Sequence, residues 1–266
     1  MTPNTPDAGS LALHEDLADD QDTDRSRMSF LEHLDELRRR ILYSIYAILA
    51  TCAATFYFWD RMYAYMAQYF SAYGGHLVYN SPSGGFMFSL KIGFLSGLLL
   101  AAPFVFSQLW LFVAPGLYAK EKKVVIPFVF FSSVLFGAGA WFGHTVAFPS
   151  MWRFFASYEI PGLTFMPAID ETFSFYWKMI LGLGLVFQMP MLVFFLARFG
   201  VVSAGFLARK FKYAILIIFI IAAIVTPSAD IVTQCIFAAP MLGLYAISIV
   251  VAWIFQKKKR KDSHED

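Results

Sequence analysis

The chain has 266 residues and a formal net charge of +2; 58% of its residues are apolar, only 15% are charged, and 30 are phenylalanines. Soluble domains carry about 25% charged residues, so this composition argues against an ordinary soluble domain and favours contact with lipid. The two cysteines, Cys52 and Cys235, lie far apart in or beside apolar runs, which argues against a disulfide framework and predicts two small buried side chains.

The N-terminal segment differs in kind from the rest of the chain. Residues 1–27 contain seven acids, two prolines and no aromatic residue. Such a segment buries too little apolar surface to offset the entropy of ordering it, which predicts a disordered acidic tail. It has no basic region followed by an apolar core, so we expect no cleavable signal peptide and an uncleaved first membrane anchor. We expect a membrane domain over 28–256 and a basic, polar cytoplasmic tail over 257–266.

The segment 28–43, MSFLEHLDELRRRILY, leads into the first apolar run. Ser29 and Glu32 have the spacing of a capping box, which predicts a helix that begins at Ser29. Apolar residues recur at helical spacing and charged residues cover the remaining surface, which predicts an amphipathic helix at the cytoplasmic membrane interface. Acids and arginines stand four residues apart in the pairs Asp35–Arg39 and Glu36–Arg40. This spacing leaves open the interpretation that the acids only neutralise the arginines.

Six apolar runs follow along the chain. They cover approximately 41–59, 92–113, 124–148, 172–197, 213–225 and 234–255. A bilayer core of about 30 Å needs roughly 20 helical residues, so the pattern predicts six membrane-spanning helices. Pro149 is expected to close the third run. A weak signal for close helix packing comes from two glycine pairs at Gly-x-x-x-Gly spacing, Gly93/Gly97 and Gly139/Gly143.

The fifth run is unusually short. Its thirteen residues, 213–225, extend about 20 Å as a helix, well short of the bilayer core. Such a helix must be tucked against longer helices or must thin the bilayer around it. The alternative is that Phe206 and Leu207 dip into the membrane and lengthen the helix.

The lysines and arginines indicate the orientation. Seventeen of the 21 fall in alternate connections, within 25–40, 120–123, 198–212 and 257–261. Because cytoplasmic loops of membrane proteins are enriched in these residues, the pattern predicts that both termini are cytoplasmic and that the number of spans is even. Six spans satisfy this requirement.

Two carboxylates stand out among these cytoplasmic cations. Glu36 lies beside three consecutive arginines, and Glu121 lies among three lysines in the loop APGLYAKEKKVV. Selection for membrane topology alone would not require them. A carboxylate binds a guanidinium through two parallel hydrogen bonds, a geometry that lysine cannot reproduce. The two acids therefore suit a peptide that carries arginines.

Several motifs together resemble one family. FLEHLDELRRRIL, QLWLFVAPGLYAKEKK, FQMP, TPSADIVTQ and AAPM follow one another as in the TatC family of twin-arginine protein translocase subunits, over about residues 28–255. The resemblance implies an all-α membrane protein whose six helices form a concave cup, with both termini inside and short fifth and sixth helices. It also implies a receptor for signal peptides with paired arginines in the bacterial inner membrane. Such a receptor works with TatA- and TatB-type single-span partners, oligomerises in the complex, uses the proton-motive force to transport folded proteins and needs no cofactor.

Individual binding residues follow from the same resemblance. Glu36 and Glu121 would hold the arginine pair of the signal peptide, and Arg38 belongs to the same motif as Glu36. Phe112 and Leu117 would form an apolar lip for the residue after the pair.

Two further positions carry expectations from the family pattern. Asp230 matches the acid in the tight external turn between the fifth and sixth helices. Gln188 stands where many members have a glutamate, and an amide cannot ionise near neutral pH. Because a polar group within the membrane usually faces protein or water, we expect Gln188 on the concave side, towards a partner helix.

Two other function classes agree with parts of the sequence. Ser96 and His144 lie at a similar depth near the external ends of their runs and would suit an intramembrane hydrolase if they met, although no oxyanion donors are evident. An ion-coupled transporter would show internal repeats and acids near the membrane midplane, and the apolar runs contain neither. The sequence also lacks metal-ligand spacings, phosphate-binding glycine loops and nucleic-acid-binding patterns.

Overall fold

A computed structural model describes residues 8–73, 77–113, 125–157, 165–226 and 230–255 and, within the first helix, side chains from Glu32 onward. The helices are α1 (Ala8–Tyr57), α2 (Trp59–Ser71), α3 (Gly84–Val113), α4 (Val125–Phe142), α5 (Phe148–Ala156), α6 (Ile169–Val186), α7 (Met189–Arg198), α8 (Ala204–Arg209), α9 (Phe211–Val225) and α10 (Ile231–Phe255). A π-helical segment, Gly143–Ala147, joins α4 to α5. Over these described ranges the chain forms no strand, and its one β-bridge is isolated, between Val78 and Ala168.

Five helical stretches are long and apolar enough to cross a membrane. They are Glu32–Tyr57, Gly84–Phe112, Ile126–Ala156, Ile169–Arg198 and Ile231–Phe255, and a shorter apolar helix covers Phe211–Ile224. The predicted all-α membrane fold with six apolar helices is confirmed. The concave cup and the cytoplasmic location of both termini stay predictions.

The amphipathic segment and the first span form one helix. The prediction that a helix begins at Ser29 is wrong, because α1 begins at Ala8 and is continuous to Tyr57. Residues 10–57 contain neither glycine nor proline, so no strong helix breaker interrupts α1. α1 thus includes part of the acidic segment 1–27, whose side chains lie outside the described residues. The predicted disorder of that segment and the division into three regions stay predictions.

The third span continues past Pro149, contrary to the expectation that this residue ends it. α4 passes into the π-helical segment and then into α5, with Pro149 in the first turn of α5. A proline is tolerated in a first turn because its missing N–H has no obligatory partner there. The π-helical turn therefore lets the helix restart with Pro149 inside it.

The fourth span is interrupted. α6 ends at Val186 and α7 begins at Met189, with Pro190 in the first turn of α7. In a continuous helix, Pro190 would lack the hydrogen bond to the carbonyl of Val186, and its ring would clash with that carbonyl. The interruption places Gln188 at the junction of α6 and α7.

The fifth apolar helix is short, as predicted: α9 has 15 residues and is about 22 Å long. The alternative in which Phe206 and Leu207 lengthen it is wrong, because they belong to α8, which ends at Arg209 before α9 begins at Phe211. The expected short sixth helix is also wrong. α10 has 25 residues and is about 37 Å long, because Pro240 lies inside it without ending it.

α1 and α3 pack against each other through Gly93 and Gly97. The hydroxyls of Thr55 and Thr51 donate hydrogen bonds of 2.8 Å to the carbonyl oxygens of Gly93 and Gly97, respectively. A Cβ atom on Gly97 would lie 2.7 Å from the Cα of Cys52, so a larger residue fits only if a helix moves. The glycine pair in the second run therefore marks a helix contact.

The second glycine pair packs α4 and the π-helical segment against α6. A Cβ atom on Gly139 would lie 2.7 Å from the carbonyl oxygen of Leu183. Beside this contact lies an aromatic core of fully buried side chains from α2, α3, α5 and α6: Phe70, Phe88, Phe148 and Phe173. Cys52 is buried as predicted, whereas Cys235 is exposed on α10, where a small apolar side chain can face lipid. The prediction of a buried side chain is wrong for Cys235.

Candidate functional site

The packing of α1 on α3 brings the start of the first span to the end of the second. Residue numbers fall along α1 as they rise along α3, from the contact of Arg40 with Gln108 to that of His33 with Phe112. The two helices are therefore antiparallel, and Glu36 lies between Arg40 and His33 in the chain. This arrangement places the predicted binding residues Glu36 and Phe112 at the same end of one helix pair.

Glu36 has an arginine partner within its own helix. Nη2 of Arg40 donates to Oε1 of Glu36 at 3.1 Å, and Nη1 of Arg40 donates to Oε1 of Gln108 at 3.2 Å. The side chains of Glu36 and Arg40 are 32% and 26% exposed, whereas Gln108 is buried. The carboxylate is thus accessible from the surface while its partner is anchored to α3. The second pair with this spacing, Asp35–Arg39, has an N–O distance of 3.7 Å and is more exposed.

Phe112 lies in an aromatic stack. The rings of His33 and Phe112 lie with their centroids 4.4 Å apart and their planes 15° from parallel. His33 is exposed and Phe112 is half-buried, so part of the stacked pair is accessible at the surface of the protein. Arg38 is also exposed on α1. The apolar lip at Phe112 stays a prediction, and an imidazole ring lies against that side chain.

The other two predicted binding residues, Glu121 and Leu117, lie in the segment 114–124, outside the described residues. α3 ends at Val113, directly after Phe112, and α4 begins at Val125. The described part of α3 therefore ends next to the aromatic stack. The approach of Glu121 to Glu36 stays a prediction.

Sequence reasoning missed Gln108 and His33. Gln108 is a polar side chain in an apolar run, and such a residue usually faces protein or water because burial in lipid is costly. That signal could have identified Gln108 as a partner of an interfacial charge. No signal in the sequence predicts the stacking of His33 on Phe112, since the contact depends on the register of α1 against α3.

Gln188 is hydrogen-bonded inside the chain. Its side chain is buried, and Nε2 donates to the carbonyl oxygen of Ser132 on α4 at 2.9 Å. The hydroxyl of Ser132 in turn accepts a hydrogen bond of 2.8 Å from Nε1 of Trp110 on α3. The amide thus joins the junction of α6 and α7 to α4. A direct contact between Gln188 and a partner helix stays a prediction.

Asp230 caps α10. The backbone N–H of Thr233 donates to Oδ1 of Asp230 at 2.7 Å, and the hydroxyl of Thr233 donates to Oδ2. A carboxylate at this position satisfies an otherwise unpaired helix N–H and is favoured by the helix dipole. The acid that the family pattern places in the external turn therefore has a structural role at the start of α10.

The arrangement required for a hydrolase is not formed. Nε2 of His144 lies 2.9 Å from the hydroxyl of Tyr65, and Nδ1 lies 2.8 Å from the hydroxyl of Tyr176. Both ring nitrogens are thus engaged by tyrosines, which leaves neither for Ser96. Within the ranges that the structure describes, no group of three His, Cys, Asp or Glu side chains could hold a metal ion.

Comparisons with known proteins agree on one family. Residues 32–240 match the family model of TatC, the Sec-independent protein translocase protein. A relative with that name from Koribacter versatilis is 43% identical over 244 residues, which cover 90% of each chain. One from Helicobacter pylori is 39% identical over 236 residues, which cover 88% of this chain and 93% of the relative.

A solved structure gives the same result. The crystal structure of a twin-arginine translocase receptor, TatC, is 33% identical in sequence and superimposes with a TM-score of 0.74. The match covers 83% of this chain and 97% of the crystallised one. The chain therefore belongs to the TatC family of Sec-independent protein translocase proteins and is a receptor subunit of the twin-arginine translocase, a transport component and not an enzyme.

Proposed function

We propose that this protein binds Arg-Arg signal peptides at its cytoplasmic face through Glu36 and Glu121. The observation that carries the proposal is the accessible carboxylate of Glu36, which already accepts a hydrogen bond from a guanidinium. Glu121 supplies the second carboxylate from the segment between α3 and α4. Each arginine of the pair then meets one carboxylate.

The aromatic stack gives this site its apolar side. In the proposal, the residue that follows the arginine pair lies on Phe112, with Leu117 on the same lip. The stacked ring of His33 stiffens Phe112, since stacked aromatic pairs contribute about 0.5–1.5 kcal/mol beyond their burial. Arg38 is assigned to the site by its place in the family motif.

Guanidinium recognition explains why arginine is preferred over lysine. A carboxylate and a guanidinium form two parallel hydrogen bonds, whereas an ammonium is a point charge. Hydrogen bonds to charged groups contribute about 1.5–3 kcal/mol, so loss of one carboxylate should weaken binding by about ten- to a hundredfold. The membrane interface strengthens the pair further because its effective dielectric constant is below that of water.

The proposal also covers the transport partners and the location, which membership of the family supports. The chain is a multi-pass membrane protein. We place it in the bacterial inner membrane with both termini in the cytoplasm, which the distribution of lysines and arginines supports. TatA- and TatB-type single-span proteins are the proposed partners, and the protein oligomerises with them to move folded cargo with the proton-motive force. The basic residues 257–261 suit contact with anionic lipid and not with nucleic acid.

Binding of a synthetic signal peptide tests the proposal. The full-length protein in lipid nanodiscs is titrated with a fluorescent twin-arginine peptide, and the same peptide with two lysines serves as the ligand control. Glu36→Gln and Glu121→Gln are each expected to weaken twin-arginine binding by about tenfold or more, and the double variant further.

Asp35→Asn is the matched protein control, because it removes a carboxylate from the same helix at a more exposed ion pair. It should leave peptide binding nearly unchanged, and thermal unfolding should show that all variants are folded. If the double variant binds the twin-arginine peptide as tightly as the unchanged protein does, the assignment of the two carboxylates is wrong.

A further inference from the structure

Arg40 contacts only one of the two carboxylate oxygens of Glu36. Arg40 divides its guanidinium between two acceptors, with Nη2 at 3.1 Å from Glu36 and Nη1 at 3.2 Å from Gln108. In the portion of the chain described by the structure, only Oε1 of Glu36 accepts a hydrogen bond. The contact is therefore single, whereas a free guanidinium can form two hydrogen bonds with one carboxylate.

Gln108 holds Arg40 in this divided position. The amide is 7% exposed on α3, and the side chain of Arg40 is about three-quarters covered. Arg40 can turn both N–H groups to Glu36 only if the buried oxygen of Gln108 loses its donor, which costs free energy. The guanidinium thus stays beside Glu36 in a weaker geometry than a mobile arginine could adopt.

We propose that Arg40 is an internal competitor that lowers the affinity of Glu36 for arginine-bearing ligands. This inference rests on the proposed function, in which Glu36 binds the signal peptide. A ligand arginine that takes Oε1 of Glu36 must displace Arg40, and one that takes the other oxygen approaches the positive charge of Arg40. Either approach weakens binding, because apparent affinity scales with the fraction of molecules in which the site is available.

The competition acts equally on every cationic ligand that displaces Arg40 from Oε1 of Glu36. The free energy needed to release that oxygen is the same for a twin-arginine and a twin-lysine peptide, so the displacement of Arg40 lowers both affinities and leaves their ratio unchanged. Partly exposed ion pairs change an equilibrium constant by up to about fivefold. Arg40 therefore sets how strong a ligand must be to occupy the site, while the geometry of Glu36 sets the preference for arginine.

Peptide titration of Arg40→Gln tests the inference. Both the twin-arginine and the twin-lysine peptide are expected to bind about two- to fivefold more tightly, with the ratio of their dissociation constants unchanged. Arg39→Gln is the matched control, because it removes the same charge one residue away from a pair at 3.7 Å that does not involve Glu36. Its effect should stay below about twofold. Arg40→Met, which keeps the aliphatic stem, should give the same increase and replaces Arg40→Gln if that variant unfolds.

A double-mutant cycle separates competition from a general charge effect. In a Glu36→Gln background, the gain from Arg40→Gln should disappear; a gain that persists there overturns the inference. Weaker twin-arginine binding in both Arg40 variants would instead mean that Arg40 holds Glu36 in place. A changed ratio of the two dissociation constants would mean that Arg40 sets specificity. Either result contradicts the proposal. Failure of the proposed function has a different signature, since Glu36→Gln alone would then leave twin-arginine binding unchanged.

Discussion

Gly97 lies where the backbones of α1 and α3 touch, and Gly97→Ala tests whether this contact holds the site together. The added Cβ would lie 2.5 Å from Sγ, 2.7 Å from Cα and 2.8 Å from the backbone nitrogen of Cys52. Two of these three atoms belong to backbone, which cannot rotate away. Restoring an ordinary contact of 3.4 Å therefore requires the helices to separate by about 0.7 Å.

That separation also stretches the hydrogen bonds between the helices. The bonds from Thr51 and Thr55 to Gly97 and Gly93 are 2.8 Å long and would approach 3.5 Å, where little of their energy remains. Overpacking costs about 1–3 kcal/mol, and hydrogen bonds between membrane helices average about 0.6 kcal/mol each. We expect Gly97→Ala to destabilise the protein by about 2–4 kcal/mol.

The assay is unfolding of the detergent-solubilised protein by SDS, followed by circular dichroism, together with signal-peptide binding. Gly137→Ala is the control, because a Cβ on Gly137 has no neighbour within 4 Å. It should be neutral or stabilising by up to about 1 kcal/mol. Cys52→Ala should restore part of the stability of Gly97→Ala, since it removes the clash with Sγ but not those with backbone. Equal stability of Gly97→Ala and Gly137→Ala would refute the reasoning.

Three further variants test single contacts by the same unfolding assay. Asp230→Ala should cost about 1 kcal/mol, because the first turn of α10 loses its cap. Gln188→Leu should cost about 0.5–1.5 kcal/mol, because the hydrogen bond that joins its side chain to the carbonyl of Ser132 on α4 is lost. Lys91→Met should cost no more than about 1 kcal/mol, because its ion pair between α3 and α6 is about one-third exposed.

Each of these variants has a matched control or a contradicting result. Asp230→Asn keeps an N-cap acceptor and should retain most of the stability, so equal losses for Asn and Ala would contradict the capping role. A Gln188→Leu variant as stable as the unchanged protein would show that the amide is not held inside the chain. For Lys91→Met, a loss of stability well above about 1 kcal/mol would contradict the expectation that a partly exposed ion pair contributes little.

The membrane makes much of this fold predictable. Backbone N–H and C=O groups in lipid must be hydrogen-bonded within the segment, so a long apolar run forms an α-helix. The length of each span then follows from the thickness of the bilayer. Five long helices and the short α9 follow from that constraint. Glycine pairs were informative for a similar reason, because Gly97 leaves no room for a side chain at the contact.

Details that depend on register or on local breaks were not predictable. Pro149 has the same sequence signature whether it ends a helix or follows a π-helical turn, and only the packing of the third span decides between them. The partner of Gln188 is a backbone carbonyl on another helix, and a backbone acceptor leaves no trace in the sequence. The stack of His33 on Phe112 likewise depends on how α1 lies along α3.

The spacing of Glu36 and Arg40 left two interpretations open, charge neutralisation and ligand binding, and the contacts make them compatible. An ion pair within one helix stabilises it by only about 0.3–0.5 kcal/mol, which is too little to keep the carboxylate from binding another cation. Here the arginine is additionally anchored by Gln108, so its single contact with Glu36 persists without reaching the strength of a two-bond pair. A carboxylate neutralised in this way tolerates the membrane interface when no ligand is present, yet it still favours a ligand that offers two parallel hydrogen bonds. In the proposed function, neutralisation by Arg40 therefore allows an acid that binds arginine to lie at the rim of a membrane protein.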